Sequence, residues 1–224
     1  MADSEAAAPR EDGEMKAETF FSTAEKERIA KAVEEVERNT AGEVAVMVVD
    51  QSEEYPEARI LAGTVGGLLI ALAITDVFLA DNLWYFVPLF FVLSVLGCRL
   101  AGCLPPFIRI FTPGSRLEEQ VRKRALIAFY EKGLYDTRDD TGVLFFISLL
   151  EHKVWVMADK GIYEKISQET LQEYASDIAL GIKTGRAAEN LCREIGRVGE
   201  ILAEHFPVKP DDTNELSDEV IIGG

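Results

Sequence analysis

Residues 141–161 read TGVLFFISLLEHKVWVMADKG, and this stretch decides the fold. Val143–Leu150 is an apolar run of strand length opening after Gly142. Glu151-His152 interrupts it as a tight turn, and Lys153–Ala158 (KVWVMA) is a second short run rich in valine. Two such runs divided by a pair of polar residues predict an antiparallel hairpin. Asp159-Lys160-Gly161 ends it.

Working outward, Glu43–Val49 (EVAVMVV) is apolar at both parities, the pattern of a strand covered on both faces. A helix is expected over 116–132, with Leu117, Val121, Ala125 and Phe129 on its inner side. Strand, crossover helix and strand make a parallel pair, so the hairpin adds an antiparallel neighbour to it. Ser22 followed by Glu25 is a capping-box pattern opening a helix that carries Ile29, Val33 and Val36. Ser167 caps another helix, with Leu171, Tyr174 and Ile178 as its stripe. Residues 186–205 form the last, with Leu191, Ile195, Val198 and Leu202. The fold class is therefore α/β: a small α/β layer with a mixed sheet covered by helices.

That domain is interrupted. Residues 60–111 contain only four charged side chains, Asp76, Asp81, Arg99 and Arg109. Residues 60–80 and 83–103 are each apolar over roughly the 20 residues that a helix needs to cross a bilayer, with only Asp81-Asn82 between them. The expectation is a transmembrane hairpin over 59–111, against the alternative of a helix pair buried in a soluble core. Trp84 and Tyr85 stand where an interfacial aromatic belt would lie. Arg99, Arg109, Arg116, Arg122, Lys123 and Arg124 follow the second span, while the short loop has no basic residue. The positive-inside rule then puts both termini and the α/β domain in the cytoplasm. The remaining divisions are a disordered tail over 1–20, the first part of the domain over 21–58, its second part over 112–206, and an acidic tail over 207–224.

A formal charge of −16 excludes a nucleic-acid groove. The basic cluster after the second span suits anionic headgroups instead. Cys98, Cys103 and Cys192 form no CxxC pair, and neither His152 nor His205 has the neighbours of a catalytic histidine.

The strand AGEVAVMVV (41–49), the segment FYEKGLYDTRDDTGVLFFISLLEHKVWVMADKGI (129–162) and the helix end LAEHFP (202–207) together resemble the TPM domain family, named for thylakoid-lumen, photosystem-repair and acetylcholine-receptor-modulating proteins. The resemblance covers about 25–50 and 116–206, with the hairpin inserted in the first crossover. It implies an α/β/α sandwich, and a function as an acid phosphatase, an assembly or repair factor, or a receptor auxiliary. Where many members carry a GYG-like turn, this chain has Asp159-Lys160-Gly161. Most members also place the domain outside the cytoplasm.

The one constellation with chemical potential is acidic. Asp136, Asp139 and Asp140 precede the first hairpin strand and Asp159 follows the second, so an antiparallel pairing brings them to one edge of the sheet. Four carboxylates there would suit a hard divalent cation, Ca2+ or Mg2+; a solvated acidic loop is the simpler reading of the same residues. The first functional expectation is a membrane-anchored, non-catalytic accessory or adaptor, with the lipid bilayer and a membrane protein as partners. The alternative is a divalent-dependent phosphatase using the acidic cluster.

Overall fold

The computed structural model describes residues 16–78, 83–102, 104–137, 139–208 and 217–223. In chain order the elements are α1 (Ala17–Phe20), α2 (Thr23–Glu37), β1 (Glu43–Val49), α3 (Pro56–Phe78), α4 (Leu83–Ala101), α5 (Pro105–Phe111), α6 (Gly114–Glu131), β2 (Gly142–Ser148), β3 (Lys153–Ala158), α7 (Lys160–Tyr163), α8 (Gln168–Lys183), α9 (Ala187–His205) and β4 (Ile221–Gly223). They divide into two compact units, Glu53–Glu119 and the residues on either side of it.

The larger unit is a mixed four-stranded sheet in the order β3-β2-β1-β4. β1 and β2 run parallel with Glu43 opposite Gly142, whereas β3 returns antiparallel with Ala158 opposite Val143. Every residue of β1 and β2 is buried, because helices cover both faces of the sheet. Val44, Val46, Val48, Phe145 and Ile147 pack with Ile29 and Val33 of α2, Leu171 and Ile178 of α8, and Leu191 and Leu202 of α9. The opposite parity, Ala45, Met47, Leu144 and Phe146, packs with Val121, Ala125 and Phe129 of α6. Period-two strands between period-3.6 helices leave no other pairing of faces. Ser22 closes its capping box as its spacing predicts, accepting from the Glu25 N–H while Glu25 accepts from the Ser22 N–H at 2.8 Å.

Four expectations need correction here. Part of the segment expected as a disordered N-terminal tail, residues 17–20, is the helix α1. Its Ala17 N–H donates to Asp50 Oδ1 at 2.5 Å, and Phe20 enters the core. The β2–β3 connection is four residues, 149–152, rather than a two-residue turn. Leu149 and Leu150 donate to Val49 and Asp50 carbonyls, and Glu151 turns inward to accept from the Ser52 N–H at 2.9 Å and from the Ser148 hydroxyl. The C-terminal tail supplies a strand, β4, running parallel along β1 with Met47 opposite Ile221. Asp159-Lys160-Gly161 starts a short helix, α7, instead of a simple break.

The smaller unit holds two helices, α3 and α4, long and apolar enough to cross a membrane; only 28% and 6% of their apolar windows are buried. The buried positions of α3 are all small: Ala58, Ala62, Gly63, Gly67, Ala71 and Thr75. A Cβ on Gly67 would lie 2.6 Å from the Ser94 backbone N, so α4 backbone approaches α3 where only glycine fits. Gly66 has open space and takes no part. Thr75 satisfies its hydroxyl within the helix, on Ala71 O at 2.8 Å. The loop at 81–82 lies outside the described residues.

Candidate functional site

β1 and β2 begin, and β3 ends, at one end of the sheet. Asp159 N–H donates to Gly142 O at 2.9 Å, extending the row Glu43, Gly142, Asp159 across three strands. The segment entering β2 is held at several points. Leu134 is fully buried, Thr141 N–H donates to Thr137 Oγ1 at 2.9 Å, and Thr141 Oγ1 donates to Ala41 O at 3.0 Å. Asp140 takes a left-handed backbone (φ 55°) that turns its carbonyl toward α7, where the Gly161 N–H donates to it at 3.1 Å. A Cβ on Gly161 would stand 2.7 Å from Asp140 O and 2.9 Å from Asp139 O, so only glycine permits this approach.

Asp159 caps α7, with Oδ1 accepting from the Lys160 N–H at 2.7 Å. Its Oδ2 is buried with no hydrogen-bond donor. Burial raises its pKa above the ordinary aspartate value, and the charge of Asp140 adds to that rise. The end of the sheet thus brings together the Asp159 carboxylate, the Asp140 carboxylate and the carbonyls of Asp139 and Asp140. Asp136 is not tied to them; it is exposed in a turn closed by its own N–H on Gly133 O at 3.0 Å. Among the described residues no three His, Cys, Asp or Glu side chains gather as a metal cluster. The convergence is therefore made as much by main-chain oxygens as by side chains, and one-letter spacing does not reveal main-chain direction. Arg138 lies outside the described residues.

A second carboxylate group occupies the same end of the sheet, and the sequence reading missed it. Glu37 accepts from the Val44 N–H at 3.0 Å. Burial pushes its pKa up to about 8, with further contributions from Glu43 and Asp218. Glu37 and Glu43 flank the turn before β1, but Asp218 arrives only through the pairing of β4 with β1.

The other reactive side chains are engaged structurally. His152 closes the β2–β3 connection with a left-handed backbone, and His205 ends α9. Cys192 lies 3.9 Å from Arg28 O, and burial pushes its thiol up, away from the thiolate form. Fully buried Glu194 accepts from Arg193 Nε at 2.9 Å and from an Arg197 guanidinium nitrogen at 3.0 Å, which balances its charge. Along β3 runs an open groove of about 680 Å3, with Arg122, Lys123 and Leu126 on one wall, Trp155 and Met157 on its floor and Gln172 opposite.

No family model and no curated protein matches the chain. Among solved structures, it is similar to the NMR structure of the BA42 protein from the psychrophilic bacterium Bizionia argentinensis. That match has a TM-score of 0.56 at 20% identity and covers 91% of this chain and 96% of the other. At that identity the similarity speaks for a shared α/β fold.

Proposed function

We propose that the chain is a membrane-anchored TPM-like domain acting as a non-catalytic accessory of a membrane protein complex. In this reading α3 and α4 cross the bilayer as a hairpin, and both termini and the α/β unit are cytoplasmic. The observation that supports the membrane anchoring is the low burial of two helices that are apolar on all sides. A soluble protein would have to hide such surface, whereas hydrocarbon accepts it. The basic residues after α4 set the orientation.

The acidic end of the sheet supports a bound hard cation, Ca2+ or Mg2+. Asp159 Oδ2 is a buried acceptor lacking a donor, and the oxygens of Asp139 and Asp140 crowd the face of Gly161. Such oxygens fit either ion. Because Asp159 caps α7 and Asp140 O holds Gly161, a cation there would brace the β3–α7 turn. The phosphatase reading draws on the same oxygens, with the metal supplying the polarisation of a phosphate ester.

Pull-down from detergent-solubilised membranes tests the accessory role: a stoichiometric membrane protein is expected to co-purify, and a chain that always elutes alone rejects it. Millimolar calcium or magnesium is expected to raise the melting temperature of the purified full chain. A ligand at a hundred times its dissociation constant adds roughly 2.7 kcal/mol. Asp159→Asn removes that rise. Cation-dependent hydrolysis of a phosphate monoester that Asp159→Asn abolishes would favour the phosphatase instead.

A further inference from the structure

The outward face of α6 is neither an ordinary solvated helix face nor part of the core. Successive residues turn by about 100°, so Lys123, Ile127 and Tyr130 fall on one stripe with Arg122 and Leu126 beside it. Val121, Ala125 and Ala128 point the other way, into the sheet. Leu126, Ile127 and Tyr130 are 45%, 50% and 57% exposed. The Tyr130 ring lies 5.0 Å from that of Tyr135, which extends the patch. In a chain with 39 acidic and 23 basic residues, this face carries Arg122 and Lys123, with Glu119 one turn before Lys123, beside a cluster of large apolar groups. Basic, aliphatic and tyrosine side chains on one helical face form the pattern of an interfacial helix.

We infer that this face of α6 lies on the membrane surface, with Arg122 and Lys123 on anionic lipid headgroups and Leu126, Ile127 and Tyr130 at the acyl boundary. The inference rests on the reading of α3 and α4 as membrane spans. Charge complementarity selects the occupant, because two adjacent cations favour an anionic surface. Chain connection favours the same occupant. α5 ends at Phe111 and α6 begins at Gly114, so the helix starts close to the apolar segments.

The test uses the full chain, with Cys98, Cys103 and Cys192 replaced by serine, in nanodiscs of phosphatidylcholine alone or mixed with phosphatidylserine. An environment-sensitive fluorophore is placed at Ile127→Cys, at Phe91→Cys on α4, or at Glu200→Cys on α9, and spin-labelled lipids serve as quenchers. Phe91→Cys is expected to be quenched in both lipids and Glu200→Cys in neither. Ile127→Cys is expected to be quenched about twofold or more strongly in the anionic discs. Arg122→Glu with Lys123→Glu should return it to the neutral-lipid level with the melting temperature unchanged. Quenching of Phe91→Cys without Ile127→Cys overturns the docking and leaves the hairpin standing. Loss of both overturns both readings. Equal quenching of Ile127→Cys in the two lipids overturns the headgroup recognition, and crosslinking of Ile127→Cys to a second copy would make that copy the occupant.

Discussion

The helix pairs α3/α4 and α8/α9 solve the same problem in opposite ways. α8 and α9 turn Leu171, Ile178, Leu191, Ile195, Val198 and Leu202 inward to the sheet and, apart from the arginine-paired Glu194, leave their charged side chains toward solvent. α3 buries alanine, glycine and threonine and exposes its leucines and isoleucines. In water the free energy comes from removing large apolar groups from solvent. Between helices surrounded by hydrocarbon, as proposed for α3 and α4, that gain vanishes, and close backbone approach over small residues takes its place. The contrast lies both in composition, since α8 and α9 carry many charged residues and α3 and α4 few, and in where the large side chains go.

The largest expected effect comes from one substitution made in both regions. Phe145→Ala, in the fully buried centre of β2, is expected to cost about 3–5 kcal/mol. Phe91→Ala, on the exposed face of α4, should stay within about 0.5 kcal/mol. Denaturant titration of the full chain in detergent measures both. A comparable loss at Phe91 would mean that α4 packs against protein, and the contrast would collapse.

Next in size is the small-residue seam. Gly67→Val would press a side chain onto the Ser94 backbone and is expected to cost about 1–3 kcal/mol. Gly66→Ala, facing open space, should cost nothing. Equal melting temperatures for the two variants would show that α3 and α4 do not depend on close approach.

The smallest effect appears only against pH and belongs to the sheet unit. Glu37 has its pKa raised from 4.5 to about 8, chiefly by burial. Its neutral form is favoured by folding, so its contribution is complete below pH 4.5 and is lost as pH rises through 8. Glu37→Gln keeps a neutral acceptor for the Val44 N–H. The variant should match the parent at pH 4 and melt higher at pH 8. Parallel pH profiles would remove the strained carboxylate from the account of that end of the sheet.

Much of this architecture is local in origin and therefore legible. The Ser22–Glu25 box, the valine run of β1, the inner stripes of α6, α8 and α9 and the two apolar segments follow from periodicity and capping within a few residues. The acidic end was legible only by halves. Antiparallel return of β3 places Asp159 beside the start of β2, as spacing implies. The turning of the Asp139 and Asp140 carbonyls toward Gly161 depends on a left-handed backbone at Asp140, which a one-letter code does not carry.

By itself, the sequence determined the strands β1, β2 and β3 and the long helices, which face of α2, α6, α8 and α9 is apolar, and where two segments long and apolar enough to cross a membrane interrupt the domain. These are properties of spacing, and spacing is written along the chain. Tertiary structure alone decided that Ile221–Gly223 becomes a strand, because two isoleucines and a glycine in an acidic tail gain an edge only when β1 offers one. It also decided that Asp218 lies close enough to raise the Glu37 pKa, and that Asp136 stays exposed while the Asp139 and Asp140 carbonyls gather at Gly161 beside Asp159. Contacts between residues far apart in the chain arise only after the sheet has brought the ends of its strands together.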